Sequence, residues 1–574
     1  MNNLSYKEIR TKYIEFFKKN GHKEIPSATL IPENDPSVLF VNAGMFPLVP
    51  FLQGEKHQSG DKLVNSQRCV RTIDIDQVGN AYHCTTFEML GNWSLNNYFK
   101  KEAIELTVKF FVEELGFDIN KISATVFKGE DGIPKDTESI NTWKNIFAKY
   151  KVEEKISENG KDENWWELST GGPCGPDSEI FFDTGKGIVE IGNNVFMEYL
   201  KVGNEYKPLG RHNVDFGGGL DRLTAICQNV QSVYETDIYK PIIQKVKELS
   251  KKDILESQRI ITDHIKAATW IIMDGITPSK TQQGYILRRL IRRAVRHGRK
   301  LEIDGLFTRE IAKIAIEQFS PIWKELKNKE KYILDTIEEE ETKFSKTLQN
   351  GLTELDRLIS REEIDGKKAF MLYETYGLPI EVIQEILEEK NRKPVDIEEF
   401  NQEEKSHKEL SRTASAGLFK GGLADTSEQS TKYHTATHLL LAALRKVLGT
   451  HIYQKGSNIT PERLRLDFPN EEKLTEEQIK EVENIVNEQI GKKLSITFEE
   501  MNKQEALDLV SFAAFEEKYG DILKVYYVGS KETPFSVEIC NGPHVKNTSE
   551  LGEFKITKQE SIGSGIKRIK AILL

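Results

Sequence analysis

The hydrophobic pattern changes character twice along the chain. From residue 1 to about 240, short apolar runs such as SVLFVNAG (37–44), EIFFD (179–183) and IVEIGNNVFMEYL (188–200) read as strands among helices and many Gly, Pro and Asn turns. Regular βαβ alternation is lacking, so this part predicts an α+β fold with a largely antiparallel sheet. From 241 to 413 nearly everything reads helical, with Glu/Lys-rich exposed faces. ASAGLFKGGLADTSEQSTK (414–432) is small, polar and glycine-rich, and predicts a linker. A mixed α/β pattern returns over 433–574, with strand-like runs LRLDF, LKVYYVG and FSVEIC. The prediction is a multidomain α+β protein with segments at 1–240, 241–413 and 433–574.

Within the helical part, YILRRLIRRAVRHGRK (285–300) carries seven Lys and Arg among sixteen positions. Leu287, Leu290, Ile291 and Ala294 form its apolar stripe, and Arg288, Arg292, Arg296 and Arg299 line an adjacent face beside Arg289 and Arg293. So many guanidinium groups on a few turns repel one another unless an anion is near. Phosphate is the natural candidate, because arginine binds it bidentately. The chain as a whole carries a net charge of −10, which argues against unspecific coating of nucleic acid but not against a local basic surface.

The last part holds a second chemical signal. His434 and His438 stand four apart on a predicted helix, on one face. Cys540 and His544 repeat that spacing near the C-terminus. Three imidazoles and a thiolate are what a tetrahedral Zn²⁺ takes. The Glu beside the first His that would mark a metalloprotease is absent. Five cysteines at 69, 84, 174, 227 and 540 make no disulfide framework. No apolar run approaches the roughly 20 residues that span a bilayer, and the N-terminus has no apolar signal core. A cytoplasmic protein without membrane contact is expected.

The first part lacks the phosphate-binding loop GxxxxGK[ST] and a GxGxxG between strand and helix. A nucleotide there must be held by side chains. NSQRCVRTID (65–74) and HCTTFEMLGNW (83–93) read as two strands joined by a loop, bearing Arg68 and Arg71 on one and Glu88 on the other. VDFGGGLDRL (214–223) sets Asp215 before three glycines, Gly217 among them, with Arg222 behind. Glycines let a backbone approach a ligand closely, and an arginine after them can stack on a base or grip phosphate.

These motifs carry a resemblance. NDPSVLFVNAGM (34–45), NSQRCVRT, TTFEMLGNWS, GGPCGPDSEIFFD (171–183), VDFGGGLDR, QGYILRRLIRRAVRHG and YHTATHLL…ICNGPHV stand in the order found in bacterial-type alanyl-tRNA synthetases. The resemblance covers nearly all of 1–420 and 430–574. It implies a class II synthetase core, an antiparallel sheet flanked by helices, followed by a helical tRNA-recognition segment and a zinc-dependent editing segment. Its implied reactants are ATP with Mg²⁺, alanine and tRNA(Ala).

Carried over by position, the resemblance gives Arg71 the α-phosphate of ATP, with Asp74 and Glu88 shaping the loop and Phe87 and Met89 near adenine. Arg222 stacks on the base or clasps phosphates. Asp215 receives the ammonium of alanine, and Trp166 and Asn193 wall a methyl-sized pocket. Lys280, Arg288, Arg292, Arg293, Arg296 and Glu374 are the implied tRNA contacts. His434, His438, Cys540 and His544 are the implied zinc ligands, with Thr435 and Gln454 near the ester to be hydrolysed. An editing site has a physical motive: one methyl gives only ~1–3 kcal/mol of discrimination, so serine and glycine intrude.

The chain departs from that family's pattern in several places. The β-barrel of longer relatives is missing or vestigial between Phe419 and Tyr433, and without the family's coiled-coil and C-terminal domain after Leu574 a monomer is expected. Lys280 and Glu374 stand where an Asn and an Asp read the acceptor-stem wobble pair. CNGPH replaces CGGTH, so Pro543 stiffens the ligand loop. Gly192 replaces a pocket-side Trp. Threonyl synthetases share the editing unit but place it ahead of the core, and here it follows. A free-standing deacylase with a dead synthetase half is disfavoured by the presence of Arg71, Asp215 and Arg222, while a non-catalytic RNA-binding protein built on a synthetase scaffold stays an alternative.

Overall fold

The computed structural model describes residues 3–32, 38–168, 171–416, 427–510, 522–540, 542–563 and 565–574. They form two compact units, Met1–Ile364 with Met371–Pro394, and Asp365–Phe370 with Val395–Leu574.

The first unit is built on a nine-stranded sheet: β1 (Lys23–Glu24), β2 (Lys62–Val70), β3 (Thr86–Leu95), β4 (Ile122–Phe127), β5 (Ile156–Asn159), β6 (Trp165–Trp166), β7 (Gly172–Asp183), β8 (Ile188–Val202) and β9 (Glu205–Gly219). The order is β1-β2-β3-β9-β8-β7-β4-β5, with β6 paired to β7. The pairs β1–β2 and β4–β5 are parallel, and those between them antiparallel. Helix α1 (Tyr6–Lys19) starts on a capping box in which the Ser5 hydroxyl and the Glu8 carboxylate satisfy each other's backbone N–H. Helix α2 (Leu220–Cys227) follows β9 directly.

The helical part of this unit contains α3 (Leu255–Met273), α4 (Gln282–Lys300), the thirty-residue α5 (Glu330–Ile359) and α6 (Ile380–Glu389). α3 is buried almost all round, polar residues included. α4 buries Leu287, Leu290, Ile291 and Ala294, the predicted stripe.

The run SVLFVNAG, read as a strand, is not one over its described residues 38–44. Its backbone makes isolated pairings, Val41 N to Leu30 O and Val70 N to Val41 O, before short helical turns opened by Pro47 and Pro50. Proline removes the donor a ladder needs. Of the predicted linker, 417–426 lies outside the described residues. The flanking chain is helical to Ala416 and again from Glu428.

In the second unit, α7 (Glu428–Leu448) and α8 (Glu476–Gly491) share a core with a four-stranded sheet ordered β10-β11-β16-β15. These strands are β10 (Gly456–Thr460), β11 (Arg463–Pro469), β15 (Phe554–Gly563) and β16 (Ile566–Leu573). A separate three-stranded sheet joins β12 (Ile496–Asn502), β13 (Ile522–Gly529) and β14 (Pro534–Ile539).

Trp93 is fully buried in the first unit, within an apolar cluster with Met45, Leu63 and Val195. Its ring lies along β3 over Gly91, where an added methyl would come within 2.3 Å of it. Gly91→Ala is expected to displace the indole and lower stability by about 1–3 kcal/mol. Thermal unfolding measures this, and an unchanged midpoint would mean the ring has room to move.

Candidate active site and metal centre

Strand register decides what gathers at the sheet. Residues directly opposite one another share a face, and successive residues alternate. Met89 faces Gly219, Gly91 faces Gly217, and Trp93 faces Asp215. Across β8, Gly217 faces Asn193 and Asp215 faces Val195, and Asn193 in turn faces Glu179 of β7. Phe87 is two residues from Met89 and belongs to the same side. Thus Phe87, Met89, Asp215, Gly217 and Asn193, proposed from sequence, occupy one face together. Gly217 keeps that face open, since a Cβ there would lie 2.9 Å from the Met89 sulfur.

Arg71 follows β2 directly, half-buried, with its guanidinium carbon 5.0 Å from the Phe87 ring centroid and Nε donating to the Asn42 carbonyl at 3.4 Å. Asp74 lies in the following 3₁₀ turn, Thr72–Gln77, where its backbone closes the turn back to Arg71. Arg222, in the first turn of α2, pairs with Glu190 at 2.9 Å. Trp166 pairs with Gly175 on β7 and packs against the cluster that holds Trp93 and Val195.

Asp215 is deeply buried, and burial pushes its carboxyl up to about 7, with the neighbouring Trp93 indole pulling the other way. Asp177 is pushed up to about 8 by burial, opposed by the Asn164 amide, and Glu179 to about 7 by burial and then by Glu190. The Asn193 amide oxygen has no hydrogen-bond partner among the described residues. The face therefore offers a cation-seeking carboxylate and an open acceptor close together, with arginines at its ends.

Glu88 is elsewhere. It faces Arg68, on the opposite side of the sheet from Phe87 and Met89. Fully buried, it accepts from Arg10 Nε at 2.9 Å, Ser66 Oγ at 2.7 Å and Trp323 Nε1 at 2.9 Å. Its carboxylate is consumed by these bonds, so it anchors β3 rather than lining the site. Gly192 also faces away from Asn193, with a Cβ position 2.7 Å from the Phe216 ring. A larger side chain there would meet the packing side of the sheet.

The basic helix α4 differs from its expected role. Arg289, Arg292, Arg293 and Arg296 are each less than a tenth exposed. The anions that relieve their repulsion come from the protein itself: Asp76 and Glu381 for Arg289, Glu340 for Arg292, Glu385 for Arg293, and Glu385 with Glu389 for Arg296. Periodicity could not show this, because the carboxylates lie 48 to 93 residues downstream on α5 and α6 and far upstream at Asp76. Arg288 is half-buried, Arg299 is exposed and donates to Gln349, and Lys280 and Glu374 are exposed.

In the second unit, the donor atoms of His434, His438, Cys540 and His544 all lie within 4.8 Å of one another. α7 supplies the first two, and the loop after β14 the others. His434 Nδ1 meets the Pro543 carbonyl at 3.0 Å, which fixes its proton there and leaves Nε2 toward Cys540 Sγ, 3.3 Å away. His544 Nδ1 meets the Thr435 hydroxyl at 3.2 Å, and its buried Nε2 has no partner among the described residues. Burial holds His434 at about 4, His438 at about 3 and His544 well below the usual value, all as neutral imidazoles. A metal cation fits this donor set.

Thr435 itself is fully buried, between the Thr431 carbonyl, His544 and the Val545 N–H. Its hydroxyl is engaged by these three contacts. Gln454 is half-buried, its amide donating to Ser457 Oγ at 3.2 Å.

Comparison with known proteins now bears on this geometry. The model for tRNA synthetases class II (A) matches residues 8–455, and that for the Threonyl and Alanyl tRNA synthetase second additional domain matches 523–570. The alanine--tRNA ligase of Treponema denticola is 47% identical over 603 residues, taking in 100% of this chain and 99% of the relative. The chain belongs to the alanine--tRNA ligase family. The family's enzyme from Borrelia hermsii is 45% identical, covering 99% of each chain. That of Petrotoga mobilis is 35% identical, covering 100% of this chain and 80% of the relative.

Within this family member, four neighbours of the sites escaped the motif reading. Trp93 was legible by stepping two residues along the strand from Met89 and Gly91. Asp177 and Glu179 give no signal without the β7–β8 register. Tyr526, whose ring centroid is 4.3 Å from that of His544, comes from a strand with no motif of its own.

Cys540→Ala is expected to cut the zinc retained after dialysis to a small fraction of the unsubstituted protein's, measured by elemental analysis. Equal retention would remove the thiolate from the ligand set.

Proposed function

We propose that the protein is an alanine--tRNA ligase that activates alanine with ATP and transfers it to the 3′ end of tRNA(Ala), and whose second unit hydrolyses Ser-tRNA(Ala) and Gly-tRNA(Ala). Support comes chiefly from the shared sheet face of Phe87, Met89, Asp215, Gly217 and Asn193 between Arg71 and Arg222, in a chain 47% identical throughout to an alanine--tRNA ligase. In this reading residues 1–240 carry aminoacylation, 241–413 acceptor-stem recognition and 433–574 editing, with 414–432 as linker. Lys280, Arg288 and Glu374 meet the acceptor stem. The protein works as a cytoplasmic monomer.

The chemistry asks little covalent work of side chains. An alanine carboxylate oxygen attacks the α-phosphorus in line, and pyrophosphate leaves. Arg71 and Arg222 hold the negative charge where it develops, and rigid placement does the rest. Phe87 and Met89 flank adenine. Asp215 takes the ammonium group, and its buried carboxylate gains the counter-charge it otherwise lacks. Asn193 Oδ1 accepts from the same group, and Trp166 limits the side chain to a methyl. A hydroxyl of the tRNA terminal ribose then attacks the adenylate carbonyl, and AMP leaves. Bound Mg²⁺ supplies charge neutralisation on the phosphates, and Glu179 and Glu190 are oxygen donors of the kind it takes.

At the second site His434, His438, Cys540 and His544 would hold Zn²⁺. Held by these four protein ligands, the ion would supply positive charge and rigidity where the acceptor end docks. Gln454 lies on the chain entering β10 and faces the ester in this reading, and Thr435 holds His544 in place.

Alanine-dependent exchange of pyrophosphate into ATP tests the main reaction. Arg71→Ala should abolish exchange and leave Ser-tRNA(Ala) hydrolysis intact; exchange supported by threonine, or by no amino acid, would overturn the reading. The raised pKa of Asp215 gives a pH signature. Ammonium binding needs the ionised carboxylate, so kcat/KM for alanine should fall about tenfold per unit below pH 7 and level off above it, with kcat/KM for ATP less affected. A flat alanine profile across pH 6–8 would exclude Asp215 as the ammonium ligand.

A further inference from the structure

The loop from Arg71 to Thr86, which joins β2 to β3, begins at the α-phosphate arginine and ends beside Phe87. Along its length it is gripped by charged side chains of α3 and α4. Arg293 Nη1 donates to the Ile75 carbonyl at 3.0 Å, and Arg289 Nη2 pairs with the Asp76 carboxylate. Arg259 Nη1 donates to the Gly79 carbonyl at 3.2 Å. Asp263 accepts from the Thr85 N–H at 2.8 Å and from its hydroxyl, and Lys266 Nζ donates to the Thr86 carbonyl at 2.6 Å. Thr85 O in turn accepts from the Arg71 N–H at 2.9 Å, so the grip reaches the first residue of the loop.

Two of these groups, Asp263 and Arg293, are joined through His264. Asp263 Oδ2 takes a hydrogen bond from His264 Nδ1 at 2.9 Å, and Arg293 Nη1 donates to His264 Nε2 at 2.9 Å. A carboxylate cannot donate and a guanidinium cannot accept, so the imidazole carries its single proton on Nδ1. Arg293 Nη2 continues to Glu385 on α6 at 3.3 Å, where Arg296 and His297 also bind. Asp263, His264 and Lys266 are fully buried. Burying this many charges is costly unless each is satisfied, and a single deletion leaves its partners stranded. A loop free to move would not need such an anchorage.

We propose that Arg293 and Asp263 are positioning residues for adenylate formation: they fix the 71–86 loop so that Arg71 meets the α-phosphate. This rests on the ligase reading, and it replaces an RNA-phosphate role for Arg293. The two roles part cleanly. An RNA contact acts on tRNA affinity and its salt dependence, with alanine activation untouched. A loop anchor acts on ATP use in the absence of any tRNA.

The test compares Arg293→Gln, Arg293→Lys and Asp263→Asn with the unsubstituted protein in alanine-dependent pyrophosphate exchange. In parallel, amide hydrogen exchange over 72–86 is read by mass spectrometry. Losing one charge-assisted bond should lower kcat/KM for ATP about tenfold to a hundredfold, with KM for alanine changed little. Faster amide exchange should be confined to the loop and its anchors. Arg293→Lys keeps one donor and should recover part of the loss. The salt slope of tRNA binding should stay as in the unsubstituted protein. Normal exchange kinetics with loop protection intact, or a flattened salt slope with normal kinetics, would overturn the proposal and leave the ligase reading standing. If a variant unfolds globally, Asp263→Asn and Arg293→Lys decide: normal ATP kinetics in both overturns it. An unsubstituted protein that exchanges no pyrophosphate with alanine overturns both readings.

Discussion

Residues that face each other across an antiparallel ladder must share a side of the sheet, and neighbours along a strand must not. That rule sorts the first unit of this protein. On one side it collects the groups suited to a nucleotide and a small amino acid, contributed by β3, β9, β8 and β7. On the other it collects Arg68, Glu88, Asn92 and Phe216, which tie the sheet to the surrounding helices. A slip of one residue between β3 and β9 would exchange Asp215 for Phe216 at the site. The buried Glu88 network and the Trp93–Gly91 contact both resist such a slip.

The helical segment contributes charge to the interior as well as to the surface. Guanidinium groups of α4 and carboxylates of α5 and α6 neutralise each other in pairs and triplets. Arg292, for instance, lies between Glu340, the Gly377 carbonyl and the Phe344 ring. Glu385 is held well below the usual carboxylate range by His297, Arg293 and Arg296 even though burial opposes its ionisation. Such pairs add little net stability compared with apolar packing, but they demand one arrangement of the helices.

Much of this was legible in the chain itself. Short apolar runs located β8 and β13, the HCTTFEMLGNW segment located β3, and the i, i+4 pairs His434/His438 and Cys540/His544 located a cluster whose halves lie about a hundred residues apart. What sequence could not supply was the partner of each charge. Glu88 and Phe87 are adjacent and look equally placed for catalysis until the register puts them on opposite sides. Arg288 and Arg292 are one turn apart on α4, yet one is half-buried and the other packs on Glu340, a difference set by α5 far along the chain. SVLFVNAG has strand composition, but its described residues make only isolated backbone pairings and lead into turns opened by Pro47 and Pro50. Thr435 shares the metal motif with His434, and only the fold shows its hydroxyl is spent on His544.

The ends of the nine-stranded sheet carry a consequence of their own. β1 is two residues long, Lys-Glu and exposed, and β5 is four residues with two exposed in its middle. Each border therefore presents only a stub of unpaired amides, flanked by charge, to a passing strand. Extension of the sheet by another polypeptide is discouraged at both borders, which protects a broad β-structure from the fibrous self-association such structures otherwise invite.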